Sequence, residues 1–432
     1  MLLFLSYNHS FGGISLIRDT EIENTIRVFS LPLLNVADID YASLKIRIVK
    51  SSEINAFVTR GQRLFITTGL LKKAKAPEQI LGVIAHEVGH IMGGHLARLN
   101  IAHDNYRKKQ FISQLFGVAI GAITKDPAAT GAIFSGGKQI FRRKFISYNR
   151  SQEQMADQAA VRLLDQAKIS SQGKLKFLRS LAINNLLETE TQFPYLKTHP
   201  LTRERIRFVE NHISRSTISY KPLHPKFYEK YNRIIAKLDG FLDLPSKTYN
   251  KYPAKERSIP GLYARTIAKY MEGFLETAIL MGKKLTSLEP QNPYFLELQA
   301  QMLFENGQIE NAMNLFQKCI KILPNAPLFR LGFAHAALGL NDRESVKSAL
   351  AHLKESLRMD PSLPLAWKLT ANAYNKLGEN GYSALATAEY NLLKGQRGRA
   401  NSQARRSLRI LKPGSPQWLR AQDIENETSR LK

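Results

Sequence analysis

The sequence predicts a mainly α-helical protein with one small β-sheet, in two parts: an N-terminal domain built around an apolar helix and a C-terminal solenoid of helical hairpins. Three observations carry this reading. Apolar residues recur at helical spacing through Ile80, Val83, Ile84, Val88 and Ile91. Alternating runs at Leu44 to Val49 and Leu64 to Thr68 read as strands. An Ala-to-Pro interval of twelve residues repeats in the C-terminal half.

Taken in order, residues 1–20 are apolar at their start but lack a basic flank, and read as a truncated signal or leader. Residues 20–50 read as a helix followed by the strand Leu44-Lys-Ile-Arg-Ile-Val49, and the strand Leu64-Phe-Ile-Thr-Thr68 closes at Gly69. Pro77 opens the next helix, because the first helical position needs no N–H partner. A further helical pattern runs from Gln152 to Asp165. Pro-bearing polar text follows Tyr220, which places a first domain at 21–235, a linker at 236–260 and a second domain at 261–428.

The second domain repeats. Ala278 and Pro290, Ala312 and Pro324, and Ala349 and Pro361 mark units of 34 and then 37 residues. The middle unit adds Ala300, Gly307 and Phe316, so small residues fall where two antiparallel helices approach and Pro falls after the second helix. This resembles the tetratricopeptide repeat, whose stacked hairpins present a concave surface to partner proteins. Cys319 falls at a small-residue position of the repeat and reads as packing.

A single cysteine excludes a disulfide scaffold, and 62 Lys+Arg against 36 Asp+Glu gives a net charge of +26. Such a surface attracts polyanions. The excess is uneven: residues 98–150 hold ten basic residues and two acids, and residues 390–420 hold eight basic residues and no acid. No recognition motif for nucleic acid accompanies these blocks, so no nucleic-acid partner is expected. The apolar, Lys-flanked segment from Phe111 to Ile123 suits peripheral contact with an anionic membrane, or a buried helix.

The chemistry centres on His86-Glu-Val-Gly-His90. A helix advances about 100° per residue, so His86 and His90 share a face one turn apart and both imidazoles can reach one cation. Glu87 can lie beside the open coordination position and carry a proton from metal-bound water to the leaving amine. A third ligand is needed. His95 does not fit the longer metzincin signature, which would need His where Leu96 stands. Glu153 and Asp157 share a helix face at i, i+4; one can bind the metal while the other accepts a ring N–H of a ligand histidine.

Together with Asn55-Ala-Phe57, Gly69-Leu-Leu71, Ala156-Asp157, Thr198-His-Pro200 and Arg205, these residues resemble the M48 family of zinc metallopeptidases, in the gluzincin group, over residues 50–210. The resemblance implies a gluzincin-type fold, one Zn2+ per chain on His86, His90 and Glu153, Glu87 as general base, and Asp157 behind the ligands. It also implies that His199 and Arg205 approach the metal from the opposite side. Thr59-Arg-Gly-Gln62 departs from the Pro-Gly-Gly turn of many members, which bears on the adjoining strand edge. Asn55, Ala56, Phe57, Leu64, Phe65 and Ile66 are expected to form the substrate edge, with an extended peptide adding at the strand Leu64 to Thr68.

An M48 domain followed by such repeats resembles the periplasmic branch of the family. The expectation is a zinc endopeptidase for unfolded or misassembled polypeptides, acting in outer-membrane protein quality control, with repeats that engage the assembly machinery. The competing expectation is a chaperone or scaffold whose metal site is latched or dormant. His199 has three competing roles: solvated loop residue, oxyanion donor, or a fourth ligand that displaces water.

Overall fold

The computed structural model describes residues 15–40, 43–59, 61–94, 150–187 and 199–429. His95, the basic block up to residue 149, the segment from Phe111 to Ile123, Thr198 and the first 14 residues, for which the sequence raises expectations, lie outside the described residues. The described residues are mostly helical with one small sheet, as the patterning of the sequence predicts. Thr25–Arg47 with Ser51–Tyr231 forms one compact unit. Ile48–Lys50, Asn232 onward and the described residues before Thr25 form the other.

The sheet has four strands in the order β1-β2-β4-β3. β1 (Leu16–Ile17) runs antiparallel to β2 (Lys45–Val49), with Leu16 opposite Val49. β3 (Ala56–Thr59) and β4 (Arg63–Thr67) form a hairpin, with Ala56 opposite Ile66 and Phe57 opposite Phe65. Gly61 and Gln62 both adopt positive φ at its turn, +74° and +53°, which suits the twist of a hairpin connection. The expected edge is corrected here. β4 is bonded on both sides, so Leu64, Phe65 and Ile66 offer no free backbone; the strands with one neighbour among the described residues are β1 and β3, and β3 is the one that pairs with β4. Ala56 and Phe57 lie on that strand, and Asn55 precedes it with its carbonyl accepting the Thr67 N–H at 3.0 Å.

Helix α1 (Thr20–Val36) buries Ile26, Phe29, Leu33 and Leu34. The short α2 (Thr68–Lys73) is capped by Thr67, whose hydroxyl accepts the Leu70 N–H. α3 (Pro77–Met92) follows with Pro at its start, and every residue from Gln79 to His90 is buried. A helix buried on all faces must find partners for its polar side chains. In α3 those include His86, Glu87 and His90.

Around α3 stand α4 (described over residues 150–166), α5 (Gln172–Leu187) and α6 (Arg203–Arg215). Val161, Leu175, Leu178, Val209 and Ile213 join these three in one cluster. Close approach to α3 depends on glycine. A Cβ on Gly82 would stand 2.7 Å from Cα of Lys174, and one on Gly89 would stand 2.8 Å from the carbonyl oxygen of Ala156.

The expected linker at 236–260 is helical over much of its length: α7 (Pro225–Leu242) buries Ala236, Lys237 and Leu238, and α8 (Pro245–Lys251) follows. Five helical hairpins come next. They are α9/α10 (Ile259–Met271, Leu275–Leu288), α11/α12 (Pro293–Glu305, Ile309–Ile322), α13/α14 (Pro327–Ala337, Arg343–Met359), α15/α16 (Pro364–Lys376, Asn380–Leu393) and α17/α18 (Arg397–Ile410, Pro416–Ser429). Ala278, Ala312 and Ala349 each sit fully buried on the second helix of a hairpin. Gly273, Gly307 and Gly378 take positive φ at the turns inside three of the hairpins. Cys319 is buried and its thiol donates to the carbonyl of Pro293 at 3.2 Å, in keeping with packing.

Residues 15–20, the described part of the expected leader, are built into this second unit. Arg18 pairs with Glu23 and Asp360 at 2.7 Å each, and Lys237 pairs with Asp19 at 2.7 Å. Among the described residues no helix is long and apolar enough to cross a membrane.

Candidate metal centre

His86 and His90 point their Nε2 atoms at each other, 3.1 Å apart, because the i, i+4 spacing of α3 stacks them on one face. Glu153 from α4 closes the third side, with Oε2 at 3.2 Å from His86 Nε2 and Oε1 at 3.2 Å from His90 Nε2. Gly89 is what lets α4 come this near. One donor atom from each of His86, His90, Glu153 and His199 falls within 4.8 Å of the others, and all four side chains are buried.

The orientation of His86 is set from behind. Its Nδ1 lies 2.9 Å from Oδ1 of Asp157, so the ring proton sits on Nδ1 and Nε2 presents a bare lone pair. Burial, and then Lys174, push the His86 imidazole down to about 4, which keeps it neutral. Asp157 is held in turn by Arg205, with Nε at 2.6 Å and a second nitrogen at 3.1 Å, and by Lys174 Nζ at 2.7 Å. Burial works to raise Asp157, but Lys174, His86 and Arg205 outweigh it and keep the carboxylate ionised.

Arg205 spans more than one partner. It reaches Oε2 of Glu153 at 2.9 Å and donates to the Pro200 carbonyl at 2.9 Å, fixing the turn that carries His199. His199 places Nδ1 3.0 Å from Glu153 Oε1 and Nε2 3.5 Å from Glu87 Oε1. Glu87, 1% exposed, accepts no side-chain hydrogen bond among the described residues. Burial pushes its carboxyl up to about 8, against the pull of His90 and of the Val58 N–H on β3.

The donor chemistry fits a divalent cation of the zinc type. Two imidazole nitrogens and a carboxylate converge, and two ring nitrogens 3.1 Å apart gain from a shared cation. The structure thus brings His86, Glu87, His90, Glu153, Asp157, His199 and Arg205 into one buried cluster. Phe57 stacks on Phe65 across the hairpin, with ring centroids 5.0 Å apart, and Phe57 lies in β3 next to Val58.

Lys174 joins this cluster without being expected from the sequence. Its one local signal is a lysine in the first turn of a helix, where the dipole favours an acid.

Residues 18–213 match the family model described as peptidase family M48. This is an M48 peptidase domain. The chain that carries it is a peptidase, and residues 271–356 of its repeat region match the model of anaphase-promoting complex, cyclosome, subunit 3. Among curated proteins, the chain is 22% identical over 412 residues to the beta-barrel assembly-enhancing protease of Escherichia coli (strain K12), covering 95% of this chain and 83% of that one. A putative beta-barrel assembly-enhancing protease of Vibrio cholerae is 25% identical over 354 residues, covering 79% and 70%. The mitochondrial metalloendopeptidase OMA1 of Danio rerio is 25% identical over 195 residues, covering 44% of this chain and 40% of its own. That last match is too short to span both halves of the chain, as the first two do.

Proposed function

We propose that this protein is a zinc-dependent endopeptidase that cuts unfolded or misassembled polypeptides in the periplasm, in the service of outer-membrane protein quality control. The observation that carries the reading is the convergence of His86 Nε2, His90 Nε2 and Glu153 beside a buried Glu87 that accepts no side-chain hydrogen bond among the described residues. A zinc ion held by His86, His90 and Glu153 supplies Lewis acidity toward water and the scissile carbonyl.

The chain's own groups do the rest. Glu87 takes a proton on its carboxylate and returns it to the leaving amine. His199, turned toward Glu87, can donate an N–H to the oxyanion of the tetrahedral intermediate. Asp157 and Arg205 hold His86 and the His199 turn in place. An extended substrate pairs with the open side of β3, whose Val58 lies against Glu87, so selection rests on backbone and favours flexible chains.

The outer-membrane setting draws on the two assembly-enhancing relatives that span both halves of the chain. The domain organisation proposed is the peptidase at 21–235 and the repeats at 261–428, the repeats engaging the assembly machinery or the client. Peripheral contact with anionic membrane draws on the net charge of +26 and on Arg399, Arg406 and Arg409, which are exposed on α17. No nucleic-acid partner is proposed.

One observation favours the second reading, a chaperone or scaffold with a latched site: His199 Nδ1 stands 3.3 Å from His86 Nε2, among the ligand atoms. The deciding assay compares a β-barrel outer-membrane protein in denatured and folded form. Cleavage of the denatured form at least about tenfold faster supports the peptidase reading; no zinc-dependent cleavage of either supports the scaffold.

A further inference from the structure

Lys174 is a buried cation behind a set of metal-ligating side chains. Its side chain is 3% exposed, and its Nζ lies 2.7 Å from Oδ1 of Asp157 and 3.5 Å from Nδ1 of His86. Its backbone packs on α3 at Gly82, so the lysine belongs to the construction of the site. Burying an ammonium group is costly unless a paired charge offsets it.

The charges can be counted residue by residue. Glu153 and Asp157 are the acids that face Arg205, and Arg205 touches both, at 2.9 Å and 2.6 Å. One guanidinium cannot neutralise two buried carboxylates; Lys174 supplies the second positive charge. A dication bound at His86, His90 and Glu153 would add two more positive charges to the same buried region. Burial pushes the Lys174 ammonium down and Asp157, 2.7 Å away, works against that; in its protonated form Lys174 attracts Asp157 and would repel a metal bound beside it.

We propose that Lys174 is the counter-cation that keeps this cluster folded before metal arrives, and that its charge holds metal affinity below what the ligands alone would give. The site would then fold first and load afterwards, in contrast to small zinc domains that fold only on binding. The proposal rests on the reading of His86, His90 and Glu153 as metal ligands.

The test uses the full chain, stripped by a chelator or loaded with zinc, and reads thermal midpoints and zinc affinity by chelator competition. For Lys174→Met the stripped protein should lose roughly 10 °C, the zinc-loaded protein less than half as much, and zinc affinity should rise roughly tenfold. Lys174→Arg, which keeps the charge, should stay near wild type in all three. Recovery of Lys174→Met only in the presence of zinc also supports the proposal.

Equal losses in stripped and loaded protein with unchanged affinity would mean that Lys174 only packs. Weaker zinc binding by Lys174→Met would mean that it orients Asp157 for ligation instead. Either result overturns the proposal and leaves the metal reading standing. A wild-type chain whose midpoint does not respond to zinc, or a His86→Ala variant that binds zinc as the wild type does, overturns the metal reading itself.

Discussion

His199 and Glu153 meet at 3.0 Å, Nδ1 to Oε1, although 46 residues separate them in the chain. The same imidazole turns its other nitrogen toward Glu87. His199 thus stands between Glu153, the proposed ligand, and Glu87, the proposed base, and the solvated-loop role is not the geometry found: the residue is 6% exposed.

His199→Ala should therefore change peptidase activity while zinc binding persists, since His86, His90 and Glu153 remain. Increased turnover would identify a latch; a fall of about a hundredfold or more would identify an oxyanion donor. Unchanged kinetics would contradict both roles.

Gly89→Ala should destabilise the chain and weaken the metal site together. Helix propensity favours Ala by about 1 kcal/mol, but the new Cβ would stand 2.8 Å from a backbone carbonyl of α4, and such overpacking costs about 1–3 kcal/mol. Relief requires α4 to move, and Glu153 moves with it. Thermal midpoint and zinc affinity should both fall; a stable variant with normal affinity would show that α4 does not need this close approach.

What the sequence makes legible follows from what local pattern can carry. The helical period of α3 puts His86 and His90 on one face, and the i, i+4 pair Glu153 and Asp157 announces a carboxylate partner. His199 and Arg205 are readable only through family resemblance, because no local period links a turn at residue 199 to a helix at residue 86. The open edge lies on β3 and not on β4. The second neighbour of β4 is β2, which lies earlier in the chain, and strand order is a property of the sheet that no single strand's alternation encodes. Lys174 is hidden for a related reason: one lysine among 62 basic residues looks solvated until the helices close over it. The stretch expected as a linker holds α8 and the end of α7, because prolines that open helices read from sequence as loop.

Away from the metal centre, Glu297 predicts a pH dependence of stability. Its side chain is buried near Lys237, at 4.0 Å, in a group where Asp19 and Glu21 also claim that lysine at 2.7 Å and 3.5 Å. Burial pushes the carboxyl up to about 8, Lys237 opposes this, and Asp19 and Glu21 reinforce it. The folded pKa lies above the unfolded value of about 4.3, so the folded chain binds more protons between these limits. Stability from this group is full below the lower value and is lost as pH rises toward 8. Glu297→Gln should raise the thermal midpoint by roughly 3 °C or more at about pH 8 and shift it by no more than about 1 °C at about pH 5. An equal shift at both pH values would show that Glu297 is ionised throughout.

If Glu87 moves the proton while His86, His90 and Glu153 hold the metal, removing the Glu87 carboxylate separates hydrolysis from metal binding. Zinc content and peptide hydrolysis should be measured on the same preparation of Glu87→Gln. That protein should hold one zinc per chain, as in the wild type, with turnover reduced by several orders of magnitude. Near-normal turnover in the zinc-loaded Glu87→Gln protein would remove Glu87 from the chemistry.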